Sequence, residues 1–196
     1  VYYNNSFYSE IRLSVPGMHN VSNALACIAL CTQYGISKHT IKSALLSFTG
    51  ANRRFELVGS YENISVFDDY AHHPSEILAT ANALKNKTYR QSWIIFQPHT
   101  YSRTKNLLDD FANALLEFDN IIVTDIYAAR ETDDLGISSA DLQKRIQELG
   151  TPCEYFPTFD EIENFLLSNC QEGDLLITMG AGDVVTIGEQ IGRAHV

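Results

Sequence analysis

Val66-Phe67-Asp68-Asp69-Tyr70-Ala71-His72-His73-Pro74-Ser75-Glu76 is the stretch on which the reading of this chain turns. The β-branched and aromatic run from Ile64 to Phe67 has the composition of a buried strand, and it ends on two carboxylates. Two histidines follow, then Pro74 at a first helical position, with Ser75 and Glu76 in the first turn. A strand that runs directly into a helix is the repeating unit of an α/β sheet. Open sheets of that kind bind ligands outside the carboxyl ends of their strands, where the N–H groups of the next helix favour anions. An acidic strand end and a histidine helix cap would explain the same residues without a ligand, so the rest of the chain has to decide.

Beyond this stretch strand and helix patterns alternate almost without interruption. Strands are expected near 56–61, 64–69, 92–97, 120–126, 153–156 and 174–179, and helices near 74–86, 104–118, 138–149, 160–169 and 183–192. Units of this length imply a mostly parallel sheet with helices on both faces. The first two strands can instead pair as a hairpin around Glu62-Asn63, which would add an antiparallel edge.

Polar residues gather where such a sheet would bind something. Gln97-Pro98-His99-Thr100-Tyr101-Ser102-Arg103-Thr104 follows one strand and Thr124-Asp125-Ile126-Tyr127-Ala128-Ala129-Arg130-Glu131 the next. Thr178-Met179-Gly180-Ala181-Gly182-Asp183 follows the last. Together with the opening stretch these make four polar loops on one edge, which favour a site over four coincidences. Gly180-Ala181-Gly182 matches only the start of a dinucleotide fingerprint, and the third glycine is out of register at Gly188, so a tight strand-to-helix turn is expected. Asp68, Asp69, His72 and His73 are metal-ligand types, but adjacent histidines rarely point at one ion, and no metal site is assigned.

Upstream, two aromatic or β-branched runs flank Asn4-Asn5 and suggest a hairpin, and Pro16-Gly17 ends that pattern. A helix is expected over about 19–34, with Val21, Ala24, Leu25, Ile28 and Cys31 as its apolar stripe and Gly35 as its stop. His19, Asn20 and Asn23 share a face near its start, where capping by Asn or His would explain them. Ser37 should cap a second helix carrying Ile41, Ala44, Leu45 and Phe48. Thr49-Gly50-Ala51-Asn52-Arg53-Arg54-Phe55-Glu56 then breaks the periodicity and marks a domain boundary. Arg53 and Arg54 read as a solvated basic turn, although an Arg there could also clamp a phosphate.

With 45% apolar and 19% charged residues the chain has the material for a packed core. A net charge of -10 argues against non-specific nucleic-acid binding but not against a nucleotide, which a few local donors can hold. Cys27, Cys31, Cys153 and Cys170 lack zinc or disulfide-framework spacing, and Cys27 and Cys31 are expected in a helix core. Reduced thiols fit a cytoplasmic protein, and no apolar run reaches transmembrane length. The chain begins at Val1 inside strand-like sequence and is expected to be a piece of a longer protein.

Gly17-Met18-His19-Asn20-Val21-Ser22-Asn23-Ala24 resembles the G-x-H-N-x-x-N-A signature of the Mur ligases, ATP-dependent amide-forming enzymes of peptidoglycan synthesis. Arg53-Arg54-Phe55-Glu56, the 68–74 stretch, Gln97-Pro98-His99 with Tyr101-Ser102-Arg103-Thr104, and Asp125-Ile126-Tyr127-Ala128 resemble the branch that joins L-alanine to UDP-N-acetylmuramate. The resemblance implies residues 1–52 as the end of a central ATP-binding domain and 53–196 as a Rossmann-like carboxyl-terminal domain. It also implies that the UDP-binding domain, the phosphate loop and most Mg²⁺ ligands lie upstream; no G-x-x-x-x-G-K-[ST] occurs here.

The chemistry implied is phosphorylation of the muramoyl carboxylate by ATP, then attack of the L-alanine amine on the acyl phosphate, with the carboxyl-terminal domain closing over the central one. By position, Asn20 and Asn23 would contact adenine with His19 beside them, Asp69 would hold the ribose and Arg54 would reach the phosphates. Tyr70, His72, His99 and Arg103 would line the amino-acid and acyl-phosphate pocket, with His72, His99 and Arg103 as its catalytic groups. Many relatives carry Arg directly after the Pro-His pair, where this chain has Thr100, so the amino-acid clamp falls to Arg103 or another group. The alternatives are a ligase that recycles a murein tripeptide and a non-catalytic nucleotide-binding module of the same fold.

Overall fold

A hydrophobic period of two recurs in each central strand and assigns its residues to opposite faces of a sheet. Ile94 and Phe96 pack in one core and Trp93 and Ile95 in another; Ile121 and Val123 alternate in the same way with Ile122. The computed structural model describes residues 1–15, 17–85 and 87–193. The expected break at Pro16 and the expected helix end at Asn86 lie outside them.

The chain divides into two compact units, Val1–Asn52 and Arg53–Val196. In the first, β1 (Tyr2–Tyr3) and β2 (Ser6–Phe7) pair antiparallel around Asn4 and Asn5, both at positive φ. Helices α1 (Met18–Gln33) and α2 (Lys38–Ser47) follow. Ser37 caps α2 by accepting from the Thr40 N–H at 3.1 Å. α1 starts instead at Gly17, with φ 97 and no side-chain cap, so neither an Asn nor a His caps it. Of its expected stripe only Ala24 and Ile28 are buried, and Cys27 is exposed, not a core residue. α1 packs against α2, and one helix partner covers a narrower face than a full core would.

The second unit is built on a six-stranded sheet. Its strands are β3 (Glu56–Tyr61), β4 (Ile64–Asp69), β5 (Ser92–Phe96), β6 (Asn120–Val123), β7 (Cys153–Tyr155) and β8 (Leu175–Met179). The order is β3-β4-β8-β5-β6-β7, all parallel except the β3–β4 hairpin, which turns on Glu62 and Asn63 at positive φ. Helices α3 (Pro74–Leu84), α4 (Tyr101–Asn106), α5 (Leu108–Leu115), α6 (Ser139–Glu148), α7 (Phe159–Asn169) and α8 (Val185–Arg193) connect them.

Ile77 and Leu84 of α3, Phe111 and Leu115 of α5 and Leu142 and Ile146 of α6 fill one core. Ile162 and Leu166 of α7 with Ile187 and Ile191 of α8 fill the other. Side chains of this size, fully buried, each stabilise the fold by about 1.5–3 kcal/mol relative to exposure. The single helix expected over 104–118 is two, broken at Leu107, whose φ of -119 and ψ of 23 are not helical. α4 begins at Tyr101 because Thr100, at φ 68, turns the chain abruptly and accepts from the Arg103 N–H. Among the described residues, no helix is long and apolar enough to cross a membrane.

Candidate functional site

The carboxyl ends of β4, β5 and β6 each deliver aromatic side chains within four residues of the strand's last position. Tyr70 and His72 follow β4, His99 follows β5 and Tyr127 follows β6. Their rings form one row: Tyr70 to His72 at 5.5 Å between centroids, His72 to His99 at 5.7 Å and His99 to Tyr127 at 5.7 Å. β8 lies between β4 and β5, so these strands stand roughly 10 Å apart at the usual spacing. His72 and His99 meet across the position of β8, which lies between their strands.

That loop is the tight turn expected, and its glycines are required by close approach. A Cβ on Gly180, already at φ 152, would lie 2.7 Å from the Gln97 carbonyl oxygen, and one on Gly182 would lie 2.7 Å from Cγ of Tyr127. The buried Gln97 amide donates to Asp183 at 2.7 Å and accepts from the Val184 N–H at 3.2 Å, pinning the turn from the β5 side.

The hydrogen-bond partners assign the two imidazoles opposite tautomers. Nδ1 of His72 lies 2.9 Å from the Tyr70 carbonyl, so it donates and leaves Nε2 as the acceptor. Nδ1 of His99 lies 3.2 Å from Nη1 of Arg103, so it accepts and Nε2 carries the hydrogen. Burial, with Arg103 and His72 adding to it, lowers the pKa of His99 below the ordinary 6.5, which favours the neutral ring. Arg103 also donates to the His99 carbonyl at 3.4 Å. The edge of the sheet thus offers a proton acceptor, a proton donor and a planar cation side by side. Such a group can take a proton from an amine, stabilise an oxyanion and hold a carboxylate or phosphate.

His73 stands apart from this row. It is the N-cap of α3, and its Nδ1 accepts from Ser75 N at 3.3 Å. Glu76 accepts from the His72 N–H at 3.0 Å and from half-exposed Arg54 at 3.3 Å. Burial opposes ionisation of Glu76, but those two donors and their charges outweigh it and hold its pKa below 4.5.

Asp68 and Asp69, which open the site in sequence, lie beneath it. Asp69 is 4% exposed, and its oxygens accept from the Ala71 N–H and the Thr80 hydroxyl. Asp68 is 1% exposed and accepts from Thr178 and from Nε of Arg53, both at 2.8 Å. Burial pushes both carboxyls above their ordinary range, against these donors. Arg53 is therefore not a solvated turn residue. Its guanidinium also donates to the carbonyls of Gly180 and Gly182 and lies 5.0 Å from the Tyr70 ring.

The structure brings Arg54, Tyr70, His72, His99 and Arg103 to one edge of the second unit. It places Asp69 below that edge, and His19, Asn20 and Asn23 on α1 of the first unit. Gln97, Tyr127 and Glu131 are contributors to which the residue patterns assigned no role, and Arg53 serves as an internal tie rather than as a solvated turn or a phosphate clamp. The signals for Tyr127 are its place in the Asp125-Ile126-Tyr127-Ala128 motif and its position four residues behind its strand, against three for His72 and His99.

Residues 53–182 match the family described as Mur ligase, glutamate ligase domain. The chain is 52% identical over 181 residues to the UDP-N-acetylmuramate–L-alanine ligase of Lachnospira eligens, covering 92% of this chain and 39% of that protein. Among solved structures it is similar to the UDP-N-acetylmuramate-alanine ligase MurC of Thermotoga maritima. There the TM-score is 0.80 at 30% identity, over 97% of this chain and 41% of the other. It is also similar to the murein peptide ligase of Psychrobacter arcticus, with a TM-score of 0.70 at 28% identity over 94% of this chain and 38% of the other. The chain thus spans about two fifths of the length of these relatives.

Proposed function

The chain belongs to the Mur ligase family, and from that premise we propose that it is part of a cytoplasmic ATP-dependent ligase joining L-alanine to UDP-N-acetylmuramate. The observation that carries this reading is the grouping of His72, His99 and Arg103 at the sheet edge of a chain half identical to such ligases. ATP, with Mg²⁺, supplies the phosphoryl group that activates the muramoyl carboxylate. The residues of this chain do the rest of the work assigned here.

Arg103 holds the carboxylate of L-alanine through its planar fork. Nε2 of His72 accepts the proton that the attacking amine must lose, and Nε2–H of His99 faces the oxyanion of the tetrahedral intermediate. Half-exposed Arg54 is free to swing from Glu76 to a phosphate. His19, Asn20 and Asn23 serve the adenine. Asp69, with both oxygens engaged inside the fold, shapes the 69–71 turn and reaches a ribose only if that turn opens. Residues 1–52 are read as the end of the central ATP-binding domain. No phosphate loop of the G-x-x-x-x-G-K-[ST] type occurs in the chain, so these 196 residues alone should not turn over.

The test is phosphate release by the full-length protein. It should require ATP, UDP-N-acetylmuramate and L-alanine together, and the present chain should give none. Turnover with a murein tripeptide but not with L-alanine would replace this reading with the recycling ligase. ATP binding without turnover on either amine would leave a nucleotide-binding module.

A further inference from the structure

Glu131 has no part in the chemistry above. It lies in the loop after β6, yet its carboxylate reaches the first turn of α4, accepting from the Ser102 N–H at 2.9 Å and from the Ser102 hydroxyl. The Ser102 hydroxyl and N–H, with smaller contributions from the Tyr101 N–H and the Thr100 hydroxyl, keep its pKa below 4.5. α4 carries no acidic residue in its own first turn, so Glu131 supplies that charge from 29 residues away.

What α4 carries makes this contact more than a helix cap. Arg103 sits on α4 and donates to Nδ1 and to the carbonyl of His99. The loop that carries Glu131 also carries Tyr127, which stacks on His99 at 5.7 Å. The main chain of Tyr127 exchanges bonds with the β5 loop on either side of His99, from Tyr127 N to Pro98 and from Thr100 N to Tyr127, both 2.9 Å. Thr100, whose N–H makes the second of these ties, is held at φ 68, a backbone conformation that a β-branched residue rarely adopts. Such a turn persists only where its surroundings over-determine it. Here the surroundings are the Tyr127 main chain on one side and the Glu131 carboxylate on the other.

We propose that Glu131 is a positioning residue, which ties α4 to the β6 loop and thereby holds Arg103 against His99 in the arrangement that receives the amine substrate. The kinetic consequence rests on the ligase reading above, whereas the effect on His99 rests on this chain alone. Glu131→Gln keeps the volume and removes the charge, Glu131→Asp keeps the charge on a shorter arm, and Ser102→Ala removes the hydroxyl donor.

Two readouts separate positioning from support of the fold. In the present chain, nitrogen NMR of the histidine rings should show His99 with hydrogen on Nε2 and a bare Nδ1. Glu131→Gln should shift that signal towards a mixture of tautomers as the Arg103 donation loosens. In the full-length protein, Glu131→Gln should lower kcat/KM for L-alanine at least about tenfold, with KM for ATP changed less than about twofold. Glu131→Asp should restore part of the loss, and Ser102→Ala should reproduce part of it.

A Glu131→Gln protein with a lower Tm but an unchanged His99 signal and unchanged L-alanine kinetics would overturn the proposal. If that variant does not fold, Glu131→Asp and Ser102→Ala carry the same two readouts, and wild-type values in both would overturn it equally. If the unmutated full-length protein ignores L-alanine, the ligase reading fails and the His99 signal alone decides the role of Glu131.

Discussion

Nε of Arg53 donates to the Asp68 carboxylate at 2.8 Å, and the same guanidinium reaches the Gly180 and Gly182 carbonyls at 2.9 and 3.2 Å. One side chain thereby joins the approach to β3, the end of β4 and the loop after β8. Asp68 is 1% exposed, so its charge has no access to bulk water if the partner is removed. Arg53→Ala is expected to cost about 3 kcal/mol in urea unfolding, the low end for breaking a buried pair because Arg53 itself is partly exposed. Arg53→Lys should recover only a fraction, since an ammonium cannot serve three acceptors in one plane. A change within about 0.5 kcal/mol for Arg53→Ala would remove this joint from the account of the site.

Gly182→Ala tests the close approach of the glycine loop to the ring row. The new methyl would fall against the Gln97 amide oxygen and 2.7 Å from Cγ of Tyr127. A destabilisation of about 1–3 kcal/mol is expected, with Tyr127 displaced from His99. Thermal unfolding gives the first quantity and aromatic NMR shifts the second. A neutral substitution would mean that the loop yields without strain.

Glu76 should shape the acid limb of stability. Its folded pKa lies below the unfolded 4.5, so between the two values the unfolded chain binds more protons than the fold. The contribution is fully present above about pH 4.5 and is lost as the pH falls through the folded value. Asp68 and Asp69 run the other way: burial raises their pKa above 3.8, and their contribution weakens as the pH rises from there towards the folded values. Glu76→Gln is therefore expected to flatten the loss of stability below about pH 4.5. Urea midpoints at a series of pH values measure it, and parallel curves for the two proteins would contradict the assignment.

Arg103→Lys keeps a cation at the end of α4 but loses the two-point contact with His99. In the full-length protein this should raise KM for L-alanine or lower turnover by at least about tenfold, equivalent to roughly 1.4 kcal/mol. KM for ATP should move much less. Near-normal L-alanine kinetics would assign the carboxylate to another group and leave Arg103 as a support for His99.

The element pattern was legible because it is local. Ile94, Ile95 and Phe96, or Ile121, Ile122 and Val123, announce strands by their own composition, and Ser37 announces α2 by its cap. Register breaks with no local marker were not legible. Leu107 splits a helical pattern that continues on both sides of it, and nothing near Leu107 in sequence shows that the chain must bend there. The direction of a charged side chain was equally hidden. Asp68 and Asp69 look like ligand residues at a strand end, and only the positions of Arg53, Thr178 and Thr80 show that both carboxylates are spent inside the fold. The insertion of β8 between β4 and β5 depends on pairings across more than eighty residues, which no window of sequence reports.

That insertion also sets when the site comes into existence. β8 is the last of the six strands in chain order and takes a place in the middle of the sheet. Until residues 175–179 have left the ribosome, the nascent chain can hold only a β3–β4 hairpin and a β5–β6–β7 ribbon. Tyr70 and His72 stand on one and His99 and Tyr127 on the other, and each piece shows an unpaired strand edge to its surroundings. A chain that ends before Met179 carries every aromatic residue of the row but lacks the strand that sets Tyr70 and His72 beside His99 and Tyr127. The two halves of the row are joined through the sheet only where β8 pairs with both β4 and β5.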